Sequence, residues 1–203
     1  MEGNKRGVTV AFLGPDGSGK STVIEGLKQQ NTSFDSYHYF HLKPFPKKND
    51  EQQVPVTDPH QSEPYGLIKS YVKLLFFIIQ YNWGWFKYIL PLKRKRSLII
   101  FDRYYDDILV DYKRYRYGGR IAIAKFIRRF IPKPDLYCIL TADAKIINSR
   151  KQEVPIKELQ RQINAYRNLV DSKRYIGVDV DCKPQDIVSE INAVIKERIN
   201  EGD

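Results

Sequence analysis

The chain has only two cysteines among 203 residues, Cys138 inside an apolar run and Cys182 in a polar turn. Two thiols so placed do not make a disulfide framework, so reduced cysteines and a cytoplasmic setting are expected. Histidine is almost as scarce. His38 and His41 stand three apart on a strand-like run, which turns them to opposite faces and makes them poor metal ligands. His60 falls in a proline-rich stretch and carries no signal. A long hydrophobic run is missing too. Leu67–Leu92 is rich in aromatic and aliphatic residues, but Lys69, Lys73, Gln80, Asn82 and Lys87 leave only Leu74–Ile79 unbroken. That is far short of the roughly 20 residues that span a bilayer. The segment reads as a buried or dimer-forming helix. The alternative is a surface-docking helix with Trp83, Trp85 and the basic flank Lys93–Arg96. The opening MEGNKRG has no apolar core, so no signal peptide is expected.

Positive charge, by contrast, is in excess. The formal net charge is +10, and between Lys93 and Lys133 thirteen Lys/Arg face four Asp, a local +9. Such a field gathers phosphorylated small molecules, nucleic acid or an anionic membrane surface.

Gly14-Pro15-Asp16-Gly17-Ser18-Gly19-Lys20-Ser21-Thr22 fits G-x-x-x-x-G-K-[ST] between an apolar strand-like run and a helix-like run. In that context the motif is a phosphate cradle, with backbone N–H groups and a helix N-terminus converging on the phosphates. Lys20 is placed to reach the β/γ-phosphates, and the Ser21 hydroxyl to complete the coordination of Mg²⁺. Gly14, Asp16, Gly17, Ser18, Gly19, Lys20, Ser21 and Thr22 are therefore the expected ATP-binding residues. The N-K-x-D guanine-reading motif of GTPases is absent.

Five short apolar runs, Val8–Leu13, Tyr37–His41, Leu98–Phe101, Leu136–Leu140 and Tyr175–Val180, alternate with helical patterns over the whole chain. This predicts one α/β domain over residues 1–203 of P-loop NTPase type, a five-stranded parallel sheet with helices on both faces. Two helices show the 3.6 period, one through Ile156, Leu159, Ile163, Tyr166 and Val170, the other through Ile187, Val188, Ile191, Val194 and Ile195. Residues 44–65 hold five prolines and read as a long loop.

Leu98–Phe101 runs into Asp102-Arg103-Tyr104. Ligands of parallel α/β sheets bind beyond the strands' carboxyl ends, so Asp102 and Arg103 are expected beside the cradle. Asp102 can hold Mg²⁺ or take the proton of an attacking hydroxyl, and Arg103 can orient an anionic acceptor.

These motifs together resemble the thymidylate kinase family, with its GxDGxGKST loop, its strand ending in D-R-Y or D-R-F, and its basic lid after the fourth strand. Leu74-Leu75-Phe76-Phe77 stands where the family has L-L-F-A, and Pro134-Asp135-Leu136 where it has P-D-L. The resemblance implies a nucleoside monophosphate kinase-like fold and ATP- and Mg²⁺-dependent phosphoryl transfer, often by a homodimer. It makes Lys20, Asp102, Arg103, Arg150 and Asp16 the catalytic set, with Asp16 contacting a sugar hydroxyl, Ser21 and Asp102 serving the metal, and a short lid at 150–155. Lys151 and Arg161 are further candidates for charge stabilisation.

The acceptor side departs from the family pattern. His41-Leu42-Lys43-Pro44-Phe45 replaces R-E-P-G-G, Gln80 stands in place of an arginine near the thymine, and Asp107-Ile108-Leu109-Val110-Asp111-Tyr112 replaces S-S-x-A-Y-Q. Asp106, Asp107 and Asp111, followed by the Tyr- and Arg-rich run Tyr112–Arg120, suggest a polyhydroxylated acceptor. Asp16, Arg103, Tyr104, Asp106, Asp107, Arg114 and Arg116 are its expected contacts. The leading expectation is thus a kinase whose acceptor is a sugar, sugar phosphate or glycan terminus and for which dTMP is poor. Thymidylate or another nucleoside monophosphate is the alternative acceptor. A nucleic-acid-binding NTPase ranks third, because the Tyr/Arg run is short for strand binding. A patch on this side could also hold the enzyme at the inner face of an anionic membrane.

Overall fold

The computed structural model describes residues 6–30, 33–46, 62–171 and 173–200. His60 and most of the proline-rich stretch lie outside them. The chain runs β1 (Val8–Leu13), α1 (Lys20–Gln29), β2 (Ser36–His41), α2 (Leu67–Gly84), α3 (Leu90–Lys93), β3 (Ser97–Asp102), α4 (Asp107–Val110), α5 (Ile121–Ile127), β4 (Leu136–Thr141), α6 (Ala144–Arg150), α7 (Ile156–Arg167), β5 (Tyr175–Asp179) and α8 (Pro184–Asn200). All strands pair in parallel in the order β2-β3-β1-β4-β5. The five predicted strands are present with ends shifted by a residue. β1 and β3 are neighbours, with Phe12 opposite Asp102, so the loop after β1 and the turn after β3 emerge side by side.

The sheet is buried on both faces, and successive residues alternate between two cores. Val8, Val10 and Phe12 of β1 and Leu98 and Ile100 of β3 face α1, α6, α7 and α8. Ala11, Leu13, Ile99 and Phe101 face α2, α4 and α5. α7 follows its predicted face, burying Leu159, Ile163 and Tyr166. Ile156 in its first turn is 48% exposed, and Val170 lies beyond the helix end, against Gly177. α8 buries Ile187, Val188, Ile191 and Ile195 as its period requires.

The aromatic segment is a helix with apolar residues on two faces, interrupted by Lys69, Lys73, Gln80 and Asn82. One face, with Ser70, Leu74, Phe77 and Tyr81, enters the core. Trp85 joins it, its indole donating to Tyr104 Oη at 2.8 Å, so of the two tryptophans only Trp83 faces outward. At Trp85–Ile89 the helix widens into a π-turn before α3. Pro91 explains this, because its ring has no N–H and crowds the carbonyl four residues back. On the opposite face Ile68, Val72, Leu75, Phe76, Ile79, Trp83, Phe86 and Leu90 are 41–80% exposed. No helix among the described residues is long and apolar enough to cross a membrane.

Phe101 ties the second core together, stacking on Phe40 at 5.5 Å and Trp85 at 6.4 Å and meeting Tyr104 edge-on at 5.1 Å. Phe101→Ala should lower stability by roughly 3–5 kcal/mol, read as a shift of the urea midpoint. A shift below about 1 kcal/mol would contradict this packing.

Candidate active site

The cradle forms because its glycines take angles that other residues resist. Gly14, Gly17 and Gly19 have φ of 148°, 83° and 78°. A Cβ on Gly14 would lie 2.3 Å from the Leu140 carbonyl of β4, so the loop lies against the sheet only with glycine there. Gly19 then caps α1 in the left-handed conformation. Lys20 is bent back over the loop, donating to the carbonyls of Gly14 at 2.8 Å and Pro15 at 2.9 Å. Burial, helped by the Arg103 charge, pulls its pKa down to about 7.

Beyond the loop is a cleft of about 570 Å³. Its walls unite most of the residues expected from the sequence: Asp16, Gly17, Gly19, Lys20, Ser21 and Thr22 from the cradle, Asp102 and Arg103 from the end of β3, Arg114, and Arg150 at the end of α6. Ser18 is buried beneath the loop, and with Gly19, Thr22 and Arg150 it lines an adjoining recess of about 270 Å³ floored by Val180, Pro184 and Ile187.

Asp102 ends β3 and accepts the Tyr39 hydroxyl at 2.8 Å. Arg103 turns the chain at φ 71°, unusual for a residue with a side chain, and its N–H donates to Phe12 O at 3.0 Å. That turn aims the guanidinium back at the cradle, where Nη2 pairs with Asp16 Oδ1 and Nη1 lies 3.6 Å from Asp107 Oδ2. Burial alone would lower the Arg103 pKa, but Asp107 together with Asp102 and the other neighbouring groups more than offsets it, and the group is held charged. Arg114 reaches Asp16 from the other side and also binds Asp111 Oδ2 at 3.1 Å and Glu153 Oε2 at 3.0 Å. Glu153 in turn holds Lys151 at 2.5 Å. Asp16 is thus clasped by two arginines, and the short segment after α6 closes over the cleft through Glu153. Arg161 is tied to Glu158 and the Val110 carbonyl and does not line the cleft.

Four expected acceptor contacts lie elsewhere. Tyr104 is fully buried, its hydroxyl donating to Pro132 O at 2.6 Å. Asp106 is buried in an ion pair with Arg128 at 2.5 Å and accepts from Tyr175. Asp107 is buried behind Arg103 and accepts the Tyr166 hydroxyl at 2.6 Å. Arg116 lies over the Tyr65 ring at 4.4 Å, outside the cleft. The cause is common to both carboxylates: the one-turn helix α4 follows the D-R-Y turn so closely that they point into the core, where partners from α7, β5 and the turn after α5 meet them. His41 and Glu153 line the cleft unanticipated. His41 had a signal, being opposite Asp102 on the neighbouring strand.

Fold, cradle and cation-rich cleft define a P-loop phosphotransferase. No family model matches the chain. A probable thymidylate kinase of Pyrobaculum aerophilum is 25% identical over 209 aligned positions, covering 92% of this chain and 95% of that protein. Among solved structures, thymidylate kinase of Candida albicans superposes with a TM-score of 0.65 at 19% identity, over 96% of this chain and 93% of that one. Thymidylate kinase of Ehrlichia chaffeensis gives 0.60 at 16%, over 94% and 99%. The chain has the thymidylate kinase fold and is similar in sequence, along nearly its whole length, to a probable thymidylate kinase.

Burial pushes the Asp111 carboxyl up to about 7, against the pull of Arg103. Between about pH 4 and 7 the folded chain keeps a proton that the unfolded chain releases, so this group makes stability fall as pH rises through that window. Asp111→Asn should flatten that part of the stability curve in urea titrations. Parallel curves for the two proteins would show that Asp111 does not titrate there.

Proposed function

We propose that the protein transfers the γ-phosphoryl group of ATP to the phosphate of a nucleoside monophosphate of the thymidylate type. The observation that carries this reading is the convergence of Arg103, Arg114, Arg150 and Lys151 with Lys20 on one cleft, a set suited to two phosphorylated ligands meeting end to end. The likeness to the Pyrobaculum protein over nearly the whole chain favours the same acceptor class. The expected sugar or glycan acceptor loses its main support, because Asp106 and Asp107, which were to bind its hydroxyls, are buried and partnered.

The residues present fit Mg²⁺-ATP. Gly14 and Gly19 allow the backbone to approach phosphates, Lys20 reaches the transferred group, and the neighbouring recess, with its Val180, Pro184 and Ile187 floor, suits a flat base. Ser21 and Asp102 would hold the metal, which would supply neutralisation of phosphate charge. An acceptor phosphate monoester has its second pKa near 6, so at neutral pH its oxygen is already a nucleophile and no general base is needed. That oxygen forms the new bond to the γ-phosphorus as the bridge to the β-phosphate breaks, giving ADP and a nucleoside diphosphate. Arg103 and Arg114 orient the acceptor, and Arg150 or Lys151 offsets charge spreading over the transferred oxygens. Steady-state ADP release with dTMP should be measurable and should vanish in folded Lys20→Ala and Asp102→Asn proteins. Wild-type turnover by either variant would remove the assignment.

A second copy of this chain is the proposed partner of the outer face of α2. Ile68, Val72, Leu75, Ile79, Trp83, Phe86 and Leu90 recur in steps of three or four, the spacing that seats one helix on another. With Phe76 they number eight exposed side chains. At about 100 Å² each they approach the roughly 800 Å² per partner of a standard interface. Phe76→Glu with Ile79→Glu should turn a dimer into a monomer in sedimentation velocity. A monomeric wild type that pellets with anionic vesicles would give this face to a membrane instead.

A further inference from the structure

Not all the cations near the acceptor side line the cleft. Lys43, two residues beyond β2, Lys73 on α2, and Arg116 after α4 form a second group outside it. They share aromatic supports: Lys43 Nζ and Lys73 Nζ lie 5.3 Å and 5.9 Å from the centre of the Phe77 ring. Lys73 Nζ is also 5.4 Å from the Tyr65 ring, over which the Arg116 guanidinium sits at 4.4 Å. Among the described residues no carboxylate is paired with any of the three. Their polar contacts are to backbone carbonyls, Lys73 to Tyr115 and Arg116 to Glu63.

Half-buried like charges held together with no carboxylate partner among the described residues oppose folding, and an anion among them relieves the strain. The Lys73 ammonium registers this, with burial and the neighbouring Lys43 and Arg116 charges pulling it down to about 8. Two further atoms point the same way. Tyr115 Oη and Gln80 Oε1 are buried without a hydrogen-bond partner among the described residues. Gln80 follows Lys73 and Phe77 on α2 at i, i+4 and i+7, along one side of the helix. Tyr115 has its ring 5.8 Å from Lys73 Nζ, and its hydroxyl feels the charges of Asp107, Arg103 and Arg114.

We infer that Lys43, Lys73 and Arg116 bind a second anionic group of the acceptor, remote from the phosphate that receives the phosphoryl group. The inference rests on the kinase reading above, and it names the acceptor more closely: a nucleoside monophosphate with a further carboxylate or phosphate on its base or sugar. The reacting phosphates have Arg103, Arg114, Arg150 and Lys151 in the cleft itself, so the cluster outside it is surplus to them. Phe77, Tyr65 and Tyr115 supply flat walls against which a base can lie while its charged substituent meets the cations.

The test uses the full chain and three probes: dTMP, 5-carboxy-2′-deoxyuridine 5′-monophosphate and thymidine 3′,5′-bisphosphate. Binding by calorimetry is measured beside turnover. One doubly anionic probe should bind roughly 10- to 100-fold more tightly than dTMP, and which one succeeds places the charge on the base or on the sugar. The preference should weaken with salt and collapse in Lys43→Gln and Lys73→Gln, while Lys73→Arg keeps it and guards against loss of fold. Equal affinity for all three probes, or a preference that survives both Gln variants, overturns the inference. A preference in binding with no turnover of any probe would instead sustain the anion subsite and sink the kinase reading.

Discussion

Asp16 sits between two arginines, and the shape of the cleft depends on that one shared carboxylate. Arg103 reaches it from the end of β3 and Arg114 from beyond α4. Neither could do so if β1 and β3 were not adjacent in register. The sheet order therefore comes first in the causal chain. It brings the phosphate loop and the D-R turn together, the positive φ of Arg103 aims the guanidinium at the loop, and the ion pairs fix both against solvent. Because Arg103 and Asp107 are buried, the attraction between them is little screened.

The same arrangement concentrates positive charge where phosphates would meet. Lys20, Arg103 and Arg114 all line one small cleft, and the Lys20 pKa is depressed chiefly by burial, with the Arg103 charge adding to it. Asp16, Asp111 and Glu153 hold Arg114 in position. A site of this kind is preorganised for spread negative charge, which is what phosphoryl transfer develops.

Much of this was legible in the sequence. The apolar runs gave strand positions to within a residue, and the G-x-x-x-x-G-K-S loop and D-R-Y turn located two walls of the cleft. What was not legible depended on distant partners. Asp106 and Asp107 read as contacts to an acceptor's hydroxyls, since a buried charge is rare unless paired. Their partners Arg128, Tyr166 and Tyr175 arrive from other parts of the chain. The surface-docking alternative put Trp85 outside with Trp83, but its indole meets Tyr104 in the core. Arg116 stood in the Tyr- and Arg-rich run expected at the acceptor, but Lys43 and Lys73 join it from two other segments, so no local pattern announces the group. Glu153 stood inside the predicted lid, but only its contact with Arg114 shows what it holds.

The central claim is that a phosphate, not a hydroxyl, receives the phosphoryl group in the cleft around Asp16. Phosphorus-31 NMR of the purified chain with Mg²⁺, ATP and dTMP tests it directly. The account predicts ADP together with a new pair of coupled signals from a nucleoside diphosphate. ATP consumed with only inorganic phosphate appearing, or a product carrying a new monoester, would contradict it.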